Sequence, residues 1–189
     1  SASLELLQSQ TYVIQGPNGA GKSLFLRSLA LLHAAPYVSY HLHGEPVEHI
    51  SPQLFRRKVL YVPPVPLDTA GTVADFFAIP WQLSVYQGSA PRPEFQEVLQ
   101  REGFWNRDFS LLSSGEKQYV QMLRVFALEA EVLLLDEVMG HMDPERRGKI
   151  EAMLLEKAAL GTSVLLISHD GHQAARLKAK SWQLADLAH

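Results

Sequence analysis

The amino-acid sequence predicts an α/β fold, a mostly parallel sheet flanked by helices with a small helical subdomain inserted. Three observations carry this expectation. Short continuous apolar runs recur along the chain, and such runs suit strands buried on both faces of a helix-covered parallel sheet. Helical patterns alternate with them, as in a three-layer domain with right-handed crossovers. One segment, about 72–112, interrupts this rhythm with prolines and two tryptophans and holds no convincing β run.

Taken in order, Tyr12-Val13-Ile14 is the first expected strand, and a helix is expected over 22–32. His41-Leu42-His43 follows as a candidate strand with two imidazoles on one face, and Val59-Leu60-Tyr61-Val62 as a buried one. The segment 72–112, with Pro80, Pro91 and Pro93, reads as a helical insertion. Helices are then expected over 115–129 and 144–160, and strands at Val132-Leu133-Leu134-Leu135 and Val164-Leu165-Leu166-Ile167. Pro144 suits a helix start and Gly161 a position just past an end. This gives one domain over 1–189, with a core of 1–71 and 113–189.

Composition narrows the function. At 189 residues with 47% hydrophobic and 20% charged, the chain supports one sizeable core. A net charge of −3 offers no general attraction to nucleic acid, and none is expected as a partner. Arg56-Arg57-Lys58 and Arg146-Arg147 with Lys149 are small clusters that read as solvated helix faces. Without cysteine there is no disulfide scaffold, thiolate metal site or cysteine nucleophile. No apolar run approaches the roughly 20 residues that span a bilayer, and Ser1-Ala2-Ser3-Leu4-Glu5 lacks the features of a secretory signal. A membrane role is therefore expected to come through a partner.

Gly16-Pro17-Asn18-Gly19-Ala20-Gly21-Lys22-Ser23 fits the Walker A pattern, between a strand-like run and the helix over 22–32, and these eight residues with Leu24 are expected to bind the nucleotide. The glycines let backbone N–H groups wrap a polyphosphate, and the helix N-terminus adds partial positive charge. Lys22 is expected at the β- and γ-phosphates and the Ser23 hydroxyl on Mg²⁺. A chance match in this length is on the order of one in a hundred, so the phosphate site outweighs an ordinary glycine-rich turn. The fold is thereby expected to be of the P-loop NTPase type.

Asp136 and Glu137 end a buried strand, at the edge where open α/β sheets bind ligands. Asp136 suits a Mg²⁺ contact, and Glu137 suits orienting and deprotonating the attacking water.

Leu112-Ser113-Ser114-Gly115-Glu116 resembles the LSGGQ signature of ATP-binding cassette proteins, and Glu116-Lys117-Gln118 continues like its E-K-Q variant. Gly140-His141-Met142-Asp143 occupies the D-loop position, and Leu166-Ile167-Ser168-His169-Asp170 resembles the switch-histidine segment. The resemblance runs from about Leu4 to His169. Within the family, Gly71-Thr72-Val73-Ala74-Asp75-Phe76 and Ile79-Pro80-Trp81-Gln82-Leu83 look most like the ATP-binding subunits of Ybb-type bacterial exporters associated with iron.

The resemblance implies a head-to-tail homodimer closed by ATP, with MgATP between one Walker A and the opposite signature. Ser113, Ser114, Gly115 and Glu116 would then act in trans, His169 would meet the γ-phosphate in cis, and Asp143 would align the protomers. It further implies a cytoplasmic subunit, peripheral on the inner face of the cell membrane and coupled to an integral permease. The alternatives are a soluble cassette ATPase and a nucleotide-responsive binding module with impaired hydrolysis.

Three departures bear on activity. Pro64 stands where the family usually has a glutamine, and proline offers neither side-chain donor nor N–H. Ser114 replaces the first signature glycine. Only 15 residues precede Gly16, so the N-terminal antiparallel subdomain is expected to be reduced, and Tyr12 lies inside the strand rather than on adenine. Weak MgATP binding and slow hydrolysis in isolation are expected. A metal site at His41, His43 and His49 is disfavoured, because ligand sets need three or four convergent groups. Phe76, Phe77, Trp81 and Trp105 are expected to pack the insertion.

Overall fold

The computed structural model describes residues 5–34, 39–66 and 68–187, so the reading of Ser1–Leu4 lies outside the described residues. The chain forms β1 (Thr11–Gln15), α1 (Lys22–Leu29), β2 (His41–Leu42), β3 (Glu45–Pro46), α2 (Pro52–Lys58) and β4 (Val59–Val62). There follow α3 (Val73–Ala78), α4 (Pro93–Arg101), α5 (Ser114–Ala127), β5 (Val132–Asp136) and α6 (Pro144–Ala159). The chain ends in β6 (Ser163–Ile167), α7 (Gln173–Arg176), β7 (Lys180–Gln183) and α8 (Leu184–Leu187).

Two compact units emerge. The first comprises Ser1–Val62, Ala130–Glu137 and Leu154–His189, the second Pro63–Glu129 and Val138–Met153.

The first unit holds a five-stranded sheet in the order β4-β5-β6-β1-β7. Every neighbouring pair is parallel, with Val13 opposite Leu166 and Leu135 opposite Leu166 on the other side of β6. Central β6 is buried along its whole length, as a strand covered on both faces requires. Tyr12, Ile14, Leu134, Leu165 and Ile167 form its core with Leu26 and Phe55. Tyr12 is 2% exposed and its ring lies 4.1 Å from Trp182. Its hydroxyl accepts the Leu7 N–H.

Three features differ from the sequence expectation. The first helix stops at Leu29, because Leu31 turns left-handed (φ 55°) and the Leu32 N–H caps the Arg27 carbonyl. The edge strand β7 carries Lys-Ser-Trp-Gln, whose exposed residues give no apolar run to recognise. The antiparallel ladder among the described residues is the two-residue pair β2–β3, and His43 stands beyond it in a turn (φ 53°). His41 and His43 therefore do not share a strand face, and His43 pairs with Glu131. No group of three metal-ligating side chains occurs among the described residues.

In the second unit the regular elements are helical, and their starts are written in side chains. Thr72 and Asp75 form a capping box on α3, and Ser113 and Glu116 form another on α5. Phe76 and Phe77 are buried, Phe76 stacks on Phe109 at 4.1 Å, and Phe77 packs against Trp81 and Trp105. Among the described residues no helix is long and apolar enough to cross a membrane.

Candidate nucleotide-binding site

The loop between β1 and α1 is a cradle built by backbone. Gly19 (φ 76°) and Gly21 (φ 92°) take left-handed conformations closed to most side chains, with open space where a Cβ would stand. Gly21 caps α1 without any side-chain hydrogen bond, so the first N–H groups of the helix are left for a ligand. Lys22 folds back over the loop, and its Nζ donates to the Gly16 carbonyl at 2.8 Å and the Pro17 carbonyl at 2.9 Å. The Ala20 N–H also bonds Pro17, closing the turn.

Beneath the cradle lies Asp136, 1% exposed at the end of β5. Both carboxylate oxygens have donors: Ser23 Oγ at 3.0 Å from Oδ1, and the Tyr61 hydroxyl at 2.9 Å from Oδ2. Burial and that bond raise the Tyr61 pKa well above its usual range, so the phenol stays a donor. The donor set of a serine hydroxyl and a carboxylate is hard oxygen and suits Mg²⁺ with bound water and phosphate completing its shell.

Glu137 follows in a left-handed conformation (φ 50°), which a non-glycine residue holds only when its surroundings enforce it. Its N–H donates to the Ile167 carbonyl at 3.2 Å, and His169 Nε2 donates to its Oε1 at 2.8 Å. Asn18, Gly19, Gly21, Lys22, Ser23, Leu24, Glu137 and His169 line a cavity of about 420 Å³. Gly16, Pro17 and Ala20 support it through their backbone.

The signature-like residues lie in the second unit. Ser113 Oγ accepts the Glu116 N–H, and Glu116 returns a carboxylate to the Ser113 N–H. Arg107, bonded to Glu116 at 2.8 Å, holds that carboxyl down at about 2, against a usual value of 4.5. Ser114 is exposed at the helix start, whereas Gly115 is sterically required: a Cβ there would meet the His141 carbonyl oxygen at 2.3 Å. Asp143 caps α6, accepting the Arg146 N–H and pairing with its guanidinium, and these hold its pKa low. Pro64 presents a carbonyl, which accepts from Gln118 at 2.9 Å.

The ABC transporter family profile matches residues 1–140. The chain belongs to this family. Among ABC relatives, the probable iron export ATP-binding protein FetA of Escherichia coli (strain K12) is 30% identical over 164 residues, covering 84% of this chain and 72% of that protein. The hemin import ATP-binding protein HmuV of Streptomyces coelicolor is 32% identical over 181 residues, covering 88% of this chain and 62% of that one. The chain thus spans about two thirds of the length of these ABC subunits. A solved ATP-binding subunit of an ABC transporter superposes with a TM-score of 0.78 at 23% identity, covering 90% of this chain and 72% of that one, and so shares the fold.

Three functional candidates escaped the sequence reading. Tyr61 is a lone hydroxyl in an aliphatic strand, a signal that points to a buried acceptor. Gln118 and Gln121 sit one turn apart within an apolar helix pattern, where buried amides need partners.

Proposed function

We propose that this chain is the ATP-binding and ATP-hydrolysing subunit of an ABC transporter, one cassette made of both units, driving a membrane permease from the cytoplasmic face. The observation that carries the reading is the convergence of Lys22, Ser23, Glu137 and His169 on one cavity, with Asp136 beneath it.

Lys22 exchanges its two carbonyl partners for β- and γ-phosphate oxygens when nucleotide enters, which costs no buried unpaired charge. Ser23 and Asp136 would hold Mg²⁺, which when bound would supply charge neutralisation at those oxygens. The Tyr61 hydroxyl keeps the Asp136 carboxylate oriented toward Ser23. Glu137 aligns a water for attack on the γ-phosphorus and takes its proton, giving ADP and phosphate. His169, donating to Glu137 here, turns its N–H to the γ-phosphate and leaves the carboxylate ready as base. Ser113, Ser114, Gly115 and Glu116 of a second copy close the site in a head-to-tail homodimer, with Asp143 at the seam.

Glu137→Gln tests this directly. Turnover is expected to fall by about 10²–10⁴, and an ATP-bound dimer to accumulate in sedimentation. Turnover unaffected by the substitution would overturn the assignment. As cargo we propose iron, exported, on the stretches Gly71–Phe76 and Ile79–Leu83 and the likeness to FetA. Expression with its permease should lower cellular iron, and heme accumulation instead would favour the activity named for HmuV.

A further inference from the structure

Pro63 and Pro64 follow β4 without a single N–H between them, so these two positions cannot be anchored through their own backbone donors. Two buried glutamines on α5 supply the donors. Gln121 Nε2 reaches the Pro63 carbonyl at 3.0 Å, and Gln118 Nε2 the Pro64 carbonyl at 2.9 Å. Gln118 also bonds a third segment, since its Oε1 accepts the His141 N–H at 3.0 Å and its Nε2 lies 3.4 Å from His141 Nδ1. The His141 carbonyl meanwhile sits against Gly115, where no Cβ could fit. One amide, 1% exposed, thus ties together the loop after β4, the helix that opens with Ser113 to Gly115, and the segment leading to Asp143. An amide buried this deeply is costly unless both of its ends are bonded.

We infer that Gln118 is a positioning residue that locks the first turn of α5, the His141–Asp143 segment and the Pro63–Pro64 loop into one block. A displacement of the loop is then passed to the turn that meets nucleotide across the dimer. Pro64 contributes through its carbonyl, in place of any side chain. The inference rests on the reading that α5 closes the site of a second copy.

The test uses the full chain with Glu137→Gln as parent, and adds Gln118→Leu, Gln118→Glu or Gln121→Glu. ADP affinity is read by calorimetry and MgATP-dependent dimerisation by sedimentation between pH 6 and 8.5. Gln118→Leu is expected to leave ADP affinity within about twofold of the parent while weakening dimerisation roughly tenfold. Gln118→Glu has a sharper signature. Its ionised carboxylate accepts from His141 but cannot donate to Pro64, so dimerisation is weak at pH 8.5. Once protonated it does both, and its ratio to the parent recovers toward pH 6. Should Gln118→Leu fail to fold, this pH profile carries the test. Gln121→Glu, which loses the Pro63 bond but leaves both His141 contacts of Gln118 intact, should weaken dimerisation clearly less than Gln118→Glu does. Dimerisation by both Gln118 variants equal to the parent's at every pH would overturn the inference. So would a loss that Gln121→Glu matches, which is the mark of general destabilisation. A parent that itself shows no MgATP-dependent dimer overturns the reading of α5, and the inference with it.

Discussion

Asp136 illustrates how single side chains set this site. A carboxylate 1% exposed needs donors on both oxygens, and it has them in Ser23 and Tyr61. Tyr61→Phe removes one donor and leaves a buried lone pair unmet. The expected cost is about 1–3 kcal/mol in urea unfolding, with a weaker magnesium dependence of nucleotide binding by calorimetry. Wild-type stability and magnesium dependence in that variant would mean the contact is idle. Gly115 is the steric counterpart. A methyl group 2.3 Å from the His141 carbonyl must push backbone, so Gly115→Ala should cost about 1–3 kcal/mol in the same measurement. Ser114→Ala, at an exposed position, should be close to neutral. Walker residues were legible because glycine and lysine at fixed spacing have few other uses. Tyr61 was not, because its role depends on the pairing that sets β4 beside β5.

Elements begin and end where local chemistry directs. The α5 start is a capping box, so Ser113→Ala should lower stability by about 1 kcal/mol. Its partner Glu116 adds a pH dependence. Folding lowers the Glu116 pKa from 4.5 to about 2, chiefly through the Arg107 bond. The unfolded chain therefore binds this proton more readily than the folded one. The stabilisation is complete above about pH 4.5 and is lost progressively as pH falls toward 2. Glu116→Gln should flatten the stability profile across that window, and an unchanged acid slope would show the Arg107 pair to be weak in solution. At this scale the buried strands were readable, since a strand covered on both faces needs an unbroken apolar run. Edge strand β7 was not, because its Lys-Ser-Trp-Gln residues face solvent and neighbours and leave no run. The last turn expected of α1 was lost to the left-handed Leu31, a position with no glycine to announce it.

At the scale of the whole molecule, the order of motifs along the chain already implied an ATP-binding cassette, and the family match agrees with it. Residues distant in sequence make the site: Ser23 meets Asp136 across 113 positions, and Glu137 meets His169 across 32. Sequence spacing could nominate these partners but not their distances. The apolar pattern of α5 could mark Gln118 as a buried amide, but the three segments it joins were beyond the sequence, since they meet only in the fold. Titration of MgATP into the wild-type protein and into Lys22→Ala, followed by calorimetry, addresses the phosphate cradle most directly. Saturable binding that needs magnesium and disappears with Lys22 is the predicted result. Heat signals absent from the wild-type protein even at millimolar nucleotide, or identical in the two proteins, would contradict it.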